Sequence, residues 1–253
     1  MNNGIYNINN SNIDTIFPLL GRPTPIQTPS SQLSLIPINI PSLVSWWDAS
    51  DITTITLNGS NVSQWRDKSG IGNHLSQTTA INQPAYSLNS INSLNAITFS
   101  NTNHVLSRTS LNVLRPCIFS VWKIRSGYSP SLAKGPVIFD TASFANPRCV
   151  HYVAENSSTQ LVFARTDSAS SATSSIVFGR TYVTSCISNT TIGHNIYVNG
   201  LIGTPSLSGS AGFIGINIGN LRGVAAPNYN FDGQICEIII YSQPPSNNQR
   251  IGL

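Results

Sequence analysis

Charged residues are scarce in this chain. Asp, Glu, Lys and Arg together make up 9% of its 253 residues, whereas an ordinary soluble domain has roughly 25%. Asn, Ser and Thr replace the missing charges. A surface of neutral polar groups repels its neighbours weakly and loses little solvation free energy when another protein covers it. The composition therefore favours a subunit of an assembly over a free cytosolic enzyme.

The marks of several protein classes are also missing. The start of the chain lacks the basic residues and long apolar stretch of a signal peptide, and no segment approaches the roughly 18 apolar residues of a membrane-spanning helix. The net charge of +4 comes from dispersed residues and not from a run of Lys or Arg, whereas phosphate binding needs clustered cations. We therefore expect neither a membrane nor a nucleic acid as partner.

The cysteines follow no metal-binding or redox pattern. They are far apart, show no Cys-x-x-Cys spacing, and each lies among residues that favour strands. Without a secretion signal, buried free thiols are favoured over disulfides. The four residues are Cys117, Cys149, Cys186 and Cys236.

Residues 1–40 differ from the rest in two ways. They contain several prolines, and their apolar residues show no sustained period of 2 or 3.6. Proline fixes φ and removes a hydrogen-bond donor, so we predict an extended arm. The arm carries apolar clusters, which a solvated linker would not need. We expect it to pack on its own domain or on a neighbouring subunit, with a disordered tail as the alternative. Its apolar side chains are Ile16, Phe17, Leu19, Leu20, Leu33, Leu35 and Ile36.

From residue 41 to residue 253 the pattern is short strands separated by turns. Residues 214–218 alternate strictly, which predicts three isoleucines on one face. Asn-Gly and Asp-Gly pairs at 58–59, 199–200 and 232–233 predict tight turns. Only the last segment favours a helix, with Ser246 as its N-cap. Many short strands with regular turns indicate one all-β, antiparallel sandwich or barrel.

Three blocks of sequence then occur in a characteristic order. They are Leu43-Val-Ser-Trp-Trp-Asp-Ala-Ser-Asp51 with Val62-Ser-Gln-Trp-Arg-Asp-Lys-Ser-Gly-Ile-Gly-Asn73, then Ile196-Tyr-Val-Asn-Gly200, and finally Ile216-Asn-Ile-Gly-Asn220 with Phe231-Asp-Gly-Gln-Ile-Cys-Glu-Ile-Ile-Ile-Tyr241. Over roughly residues 41–250 they resemble the concanavalin A-like lectin/glucanase superfamily in its laminin-G-like branch. The resemblance implies a jelly-roll β-sandwich of the kind found in bacteriophage and other viral structural proteins.

Individual blocks also make physical predictions. Residues 235–241 are apolar on both faces beyond Glu237, so this strand should be central and covered on both sides. Core packing is favoured over sugar stacking for Trp46, Trp47 and Trp65.

The superfamily includes glycoside hydrolases, which need two positioned carboxylates. The chain has only two glutamates, Glu155 and Glu237, and it lacks the Glu-x-Asp-x-x-Glu pattern of the related glucanases. Asp48 with Asp51, or Asp51 with Asp67, are formal pairs in a setting typical of turns and caps. We therefore predict no catalytic residues and no enzyme.

Calcium is the one cofactor that the resemblance brings into consideration, because laminin-G-like domains often hold this ion at the rim of the sandwich. The candidate ligands are Asp140, Asp167 and Asp232. No dense acidic loop surrounds them, so the ligand number that calcium requires favours purely structural roles, and we expect no cofactor.

Two hypotheses remain for function. The leading one is a virion structural protein: a capsid decoration, cement or fibre-associated subunit, anchored to capsid or tail subunits by its arm and assembled as a homo-oligomer. The second is a lectin-like module that binds host glycans through loop residues such as Tyr128, Asn228 and Tyr229. A glycoside hydrolase ranks third.

Overall fold

The structure, a computed structural model, describes residues 36–100, 103–127, 135–142, 148–154, 160–165, 171–189, 193–206, 212–221 and 229–252. Short 3-10 turns occupy Pro37–Asn39, Ile52–Thr54 and Ala80–Asn82, and one helix, α1, spans Asn247–Gly252. All other regular elements within the described ranges are strands. They are β1 Leu43–Asp48, β2 Ile55–Asn58, β3 Asn61–Trp65, β4 Leu75–Ser76, β5 Ala85–Ile91, β6 Leu94–Ser100, β7 Leu106–Val113, β8 Cys117–Ile124, β9 Val137–Thr141, β10 Cys149–Val153, β11 Gln160–Arg165, β12 Ser171–Ser175, β13 Thr181–Asn189, β14 Gly193–Val198, β15 Leu201–Ile202, β16 Phe213–Ile218 and β17 Asp232–Tyr241.

The strand pairings form two layers, and every pairing between named strands is antiparallel. In the first layer β17 pairs with β8 along one side and with β6 and β1 along the other, and β13, β14 and β15 continue beyond β8. In the second layer β16 lies between β7 and β9, and β10, β11 and β12 follow. Strands β3 to β5 connect the layers at one edge. The predicted all-β, antiparallel sandwich is confirmed.

The main core lies between these layers. Trp122 of β8 contacts His151 of β10 with ring centroids 6.0 Å apart, and Phe139 packs against the same histidine at 5.3 Å. Trp47 and Trp65 are fully buried in this core, as predicted. Each buried aromatic ring removes a large apolar area from water, so these side chains contribute strongly to the stability of the sandwich.

A second apolar cluster covers the outer face of the first layer at one end. Ile239 and Tyr241 of β17 pack there with Phe119 of β8 and with Ile40. The Tyr241 hydroxyl donates a hydrogen bond to the carbonyl oxygen of Pro37, at 3.1 Å. The prediction that residues 235–241 form a central strand covered on both faces is confirmed. The contacts of the sandwich also reach a few residues before residue 41, where the sequence pattern places its start.

Asp67 organises the loop that protects the free edge of β1. Its carboxylate accepts hydrogen bonds from the backbone N–H groups of Trp46, Ser69 and Asn73, each at 2.9 Å. The Lys68 N–H then donates to the carbonyl oxygen of Trp46, at 2.7 Å. An exposed strand edge would offer these groups to another chain, so the loop removes a site of unwanted pairing. The predicted turn and cap role of Asp67 is confirmed.

Two of the local predictions are confirmed. Asn199 and Gly200 adopt φ values of 49° and 81°, as a tight hairpin turn requires. Ser246 caps α1, because its hydroxyl accepts from the Gln249 N–H at 3.3 Å while the Gln249 side chain accepts from the Ser246 N–H at 2.9 Å.

Two other local predictions are wrong. Asp232 and Gly233 form no turn, because they lie inside β17 and pair with β6 and β8. The strict alternation of residues 214–218 is also broken: Gly215 has a φ of 68° and the register shifts between Ile214 and Ile216. This bulge turns Ile214 out of the core, whereas Ile216 and Ile218 remain in it.

The remaining predictions concern thiols, membranes and the arm. All four cysteines are free and buried, as predicted. Within the described ranges no helix has the length and apolar character needed to cross a bilayer. Of the arm residues only Ile36 is described, and it is exposed. The others, Ile16, Phe17, Leu19, Leu20, Leu33 and Leu35, lie outside the described residues, so the arm stays a prediction.

Candidate functional site: a polar cavity across three strands

A polar cavity of about 620 Å³ opens on the outer face of the first layer. Its volume lies within the roughly 300–1,000 Å³ of small-molecule sites. Neighbouring strands β6, β17 and β8, with the residues just after β8, contribute its polar side chains. These are Thr98, Ser100, Asp232, Gln234, Lys123, Arg125 and Ser126.

Strand alternation places these side chains on one face. Phe99, Trp122 and Ile235 point into the core, so their neighbours along each strand point outward. The register then aligns them across strands: Gln234 pairs with Thr98 on one side and with Lys123 on the other. A second row follows two residues away, where Asp232 pairs with Ser100 and its carbonyl oxygen accepts from the Arg125 N–H at 3.0 Å.

Arg125 is held by a buried carboxylate. Its Nε and Nη2 atoms both donate to Oδ2 of Asp232, at 3.0 and 2.7 Å. The Asp232 side chain is 9% exposed, whereas that of Arg125 is 60% exposed. A charge-assisted pair of this kind orients a guanidinium, so Arg125 presents its outer edge to the cavity in a defined direction.

In the row formed by Thr98, Gln234 and Lys123, only some of the polar groups form hydrogen bonds. The Thr98 hydroxyl lies 2.6 Å from Oγ of Ser87, and the Gln234 amide donates to the same hydroxyl at 3.5 Å. Lys123 forms no ion pair or hydrogen bond through its ammonium with any residue that the structure describes. Within the part of the chain that the structure describes, its three donor hydrogens are therefore available to a ligand.

Gly233 brings the backbones of β17 and β8 together beneath the cavity. A Cβ atom at this position would lie 2.2 Å from the carbonyl oxygen of Lys123 and 2.9 Å from Cα of Ile124. Only glycine fits such an approach of one backbone to another. The glycine that the sequence pattern assigns to a turn is therefore required by packing inside the sheet.

The cavity has no aromatic platform among the described residues that line it. Phe99 is its one ring-bearing residue, and this ring is 1% exposed because it faces the core. Stacking on a sugar ring needs an exposed aromatic face. The described lining therefore offers hydrogen-bonding and charged groups but no ring on which a sugar could stack.

Of the loop residues proposed for sugar binding only Tyr229 is described, and it does not line this cavity. Tyr229 is half-buried, and its carbonyl oxygen accepts from the Val137 N–H at 3.2 Å. Tyr128 and Asn228 lie outside the described residues. The sequence did contain a signal for the cavity: Trp122-Lys123-Ile124-Arg125 alternates core and cation, which places two cations on one face of a strand.

The calcium candidates that the structure describes have arginine partners instead. Both Asp140 carboxylate oxygens accept from Arg148, at 2.9 and 2.8 Å, and Asp232 is held by Arg125. Burial raises the pKa of Asp140, although Arg148 acts in the opposite direction. The described residues contain no group of three or more His, Cys, Asp or Glu able to hold a metal ion. Asp167 lies outside them, and the calcium hypothesis gains no support.

A pair of carboxylates does face each other elsewhere, since Asp48 of β1 pairs with Glu237 of β17. Burial raises the pKa of Glu237, whose Oε1 accepts from Nε1 of Trp46 at 2.7 Å. Lys68 bridges Asp48 and Asp51 at 2.9 and 3.0 Å. The small cavity beside Glu237 measures about 20 Å³, which is room for about one water and not for a sugar.

Asp48 and Asp51 have the structural roles that the sequence predicts. Asp48 accepts from the Ser50 N–H at 2.9 Å, and Asp51 caps the following 3-10 turn by accepting from the Thr53 N–H at 3.1 Å. Hydrogen bonds from Thr53, and then Lys68, lower the pKa of Asp51. Glu155 lies outside the described residues.

No family model and no curated protein matches the chain. Solved structures do resemble it. Trypanosoma rangeli sialidase in complex with sialic acid is 14% identical with a TM-score of 0.55, over 83% of this chain and 32% of that one. A mutant of HCR/D is 13% identical with a TM-score of 0.57, over 83% of this chain and 51% of that one.

The chain therefore spans about a third to a half of the structures that it resembles. At this level of identity the likeness shows a shared β-rich fold alone. Membership of the concanavalin A-like superfamily stays a prediction that is compatible with that fold.

Proposed function

We propose that this domain binds carbohydrate without cleaving it, through the polar cavity formed by β6, β8 and β17. The observation that carries the proposal is the convergence of seven polar side chains in a cavity of about 620 Å³. Hydroxyl, amide, carboxylate and guanidinium groups there match the hydrogen-bonding pattern of a saccharide. One protein of similar fold was solved with sialic acid bound, which makes a saccharide a sensible first ligand class.

The absence of catalysis is part of the same proposal. A glycosidase places two carboxyl groups on opposite sides of a bound sugar. The cavity contains a single carboxylate among its described lining, Asp232, and Arg125 occupies it. The facing pair Asp48 and Glu237 has no sugar-sized space beside Glu237.

A glycan array followed by calorimetric titration tests this proposal. The double variant Thr98→Val and Gln234→Leu removes two hydrogen-bonding groups from the cavity with little change in side-chain volume. We expect it to weaken the best ligand at least about fivefold, because each lost hydrogen bond to a ligand contributes roughly 0.5–1.5 kcal/mol. A matched pair, Gln160→Leu with Thr173→Val, alters the other layer and should bind normally.

Two results would contradict the proposal. One is an array without any ligand for the folded chain. The other is a control pair that weakens binding as much as the cavity pair, since the ligand would then contact the surface of β11 and β12 instead.

A second proposal, compatible with the first, is that the chain is an assembly subunit of a virion, joined to capsid or tail proteins and to copies of itself. The low content of charge supports it, as do Ile36 and Ile38, which are 50% and 54% exposed next to the buried Pro37 and Ile40. Exposed aliphatic side chains beside an anchored segment are typical of contact surfaces.

Truncation tests this second proposal, and the structure decides where to cut. Removal of residues 1–35 keeps the contact between Tyr241 and Pro37, whereas removal of residues 1–40 would break it. Light scattering should show the full chain as an oligomer and the chain from residue 36 as a smaller species. Equal masses for both would exclude the arm as the anchor, and crosslinking in intact particles would locate the chain.

A further inference from the structure

The described charges around the cavity leave one cation without a counterion. Lys123 and Arg125 lie two residues apart on or just beyond β8, and Asp232 neutralises Arg125 through a contact of 2.7 Å. No described carboxylate forms an ion pair with Lys123. Residues two apart on a strand share a face, so both cations border the same space. The lining described above therefore carries a net positive charge.

The lack of an exposed ring among the described lining residues selects among saccharides in the same direction. Neutral sugars obtain much of their affinity from stacking on exposed aromatic rings, and the described lining offers none. A charged group on the ligand replaces that contribution, because charge-assisted hydrogen bonds are about twice as strong as neutral ones. The cavity is thus poorly suited to neutral sugars and better suited to anionic ones.

The arrangement of Arg125 strengthens this selection. Asp232 is buried and holds the guanidinium from behind, so little side-chain entropy remains to be lost when a ligand binds. Beside it, the Lys123 ammonium can approach the same anionic group as a mobile point charge. Gln234 and Thr98 next to Lys123 can then contact the hydroxyl groups of the same sugar.

We propose that the ligand of this cavity is an acidic saccharide, with its carboxylate or sulfate group bound by Lys123 and Arg125. The proposal rests on the carbohydrate-binding function proposed above and adds the chemical class of the ligand.

Calorimetric titration of matched ligand pairs tests the proposal. The pairs are 3′-sialyllactose with lactose, and a hyaluronan tetrasaccharide with a chitin tetrasaccharide; in each pair the first member is acidic and the second neutral. For at least one pair we expect the acidic member to bind about tenfold or more tightly, as a charge-assisted hydrogen bond provides. Raising NaCl from 50 to 500 mM should reduce that advantage several-fold.

Variants test whether the selectivity for acidic ligands arises from the cavity. Lys123→Gln should weaken the acidic ligand about tenfold and change the neutral ligand less than twofold, and Lys123→Arg should restore acidic binding. Arg115→Gln is the matched control, because Arg115 is an exposed cation near the opposite end of β8, about 27 Å away at roughly 3.3 Å per residue. It should bind both ligands like the parent chain.

Each outcome separates this inference from the function on which it rests. Equal affinity for the two members of every pair, or equal losses in Lys123→Gln and Arg115→Gln, would overturn the acidic ligand and leave carbohydrate binding intact. Tighter binding of a single-stranded oligonucleotide than of any saccharide would also overturn it. No binding of any saccharide by a folded chain would overturn the proposed function itself.

Discussion

Acid should destabilise this fold through one buried histidine, His151. The ring is fully buried. Its Nδ1–H donates to the Val162 carbonyl oxygen at 3.1 Å, and its Nε2 lies 3.3 Å from the Thr184 hydroxyl. Thr184 also accepts from Nε1 of Trp122 at 3.0 Å, and its hydroxyl lies 2.8 Å from that of Ser120. A neutral imidazole satisfies every member of this network.

The size of this acid-induced loss of stability follows from the pKa of the His151 ring. Burial lowers the pKa of His151 from 6.5 to about 4, although the hydrogen bond to Val162 acts in the opposite direction. Between these two values the unfolded chain binds a proton and the folded chain does not, so stability falls as the pH falls. Linkage gives a loss of about 2 kcal/mol in the free energy of unfolding between pH 7 and pH 5. The raised pKa of Asp140 has the opposite effect, so the slope of the parent chain alone is not diagnostic.

The assay is urea unfolding of the parent chain and of His151→Gln at both pH values. Glutamine can donate and accept a hydrogen bond but does not titrate, and the contribution of Asp140 cancels in the comparison. We expect the variant to be less stable at pH 7, and the difference between the two proteins to shrink by about 2 kcal/mol at pH 5. The control His104→Gln removes a histidine that is only partly buried and should change the difference by less than half as much.

A difference that is the same at pH 5 and pH 7 would refute the reasoning. So would a proton NMR titration of His151 with a midpoint near 6.5, because the ring would then be as accessible to protons as in the unfolded chain.

Three further predictions concern packing, thiols and metal. In urea unfolding, Gly233→Ala should destabilise the chain by about 3 kcal/mol or more, because its Cβ would clash with the backbone of β8. The control Gly70→Ala should lose only about 1 kcal/mol, because its Cβ meets open space at a φ of 86°. Equal losses would contradict the packing argument. Burial raises the pKa of every cysteine, that of Cys236 to about 12. A thiol reagent at pH 8 should therefore react with no cysteine in the folded chain and with all four in urea. Fast labelling of the folded chain would be evidence against this burial. EDTA or added calcium should leave the melting temperature unchanged, because Asp140 and Asp232 already bind arginines, and a shift of several degrees would restore the calcium hypothesis.

Features that depend on neighbouring residues could be predicted from the sequence. Asn199-Gly200 forms its turn because positive φ is a property of those two residues, and Ser246 caps α1 because its partner is three residues away. Predictions from neighbouring residues failed where packing between strands required a different backbone conformation. Asp232-Gly233 forms a strand because the chain needs a close approach to β8 there.

The candidate site depends on tertiary contacts and not on residues that are neighbours in the chain. Thr98 and Gln234 are 136 residues apart in the chain, and each is an ordinary outward residue of its own strand. Only the pairing register makes them neighbours of Lys123. The sequence favours loop residues such as Tyr229 for sugar binding, because loops carry most binding sites. That stays a prediction, whereas the cavity lies on a sheet face.

By itself, then, the sequence determined the all-β class, the burial of Trp47, Trp65 and the cysteines, and the capped helix α1. These follow from periodicity, residue volume and local hydrogen bonding, which act over a few residues. Only the tertiary structure decided the layer order, the bulge at Gly215, the pairing of Asp232 with Arg125 and the cavity above them. Antiparallel register joins residues of any sequence separation, so these properties are absent from every local stretch of the chain.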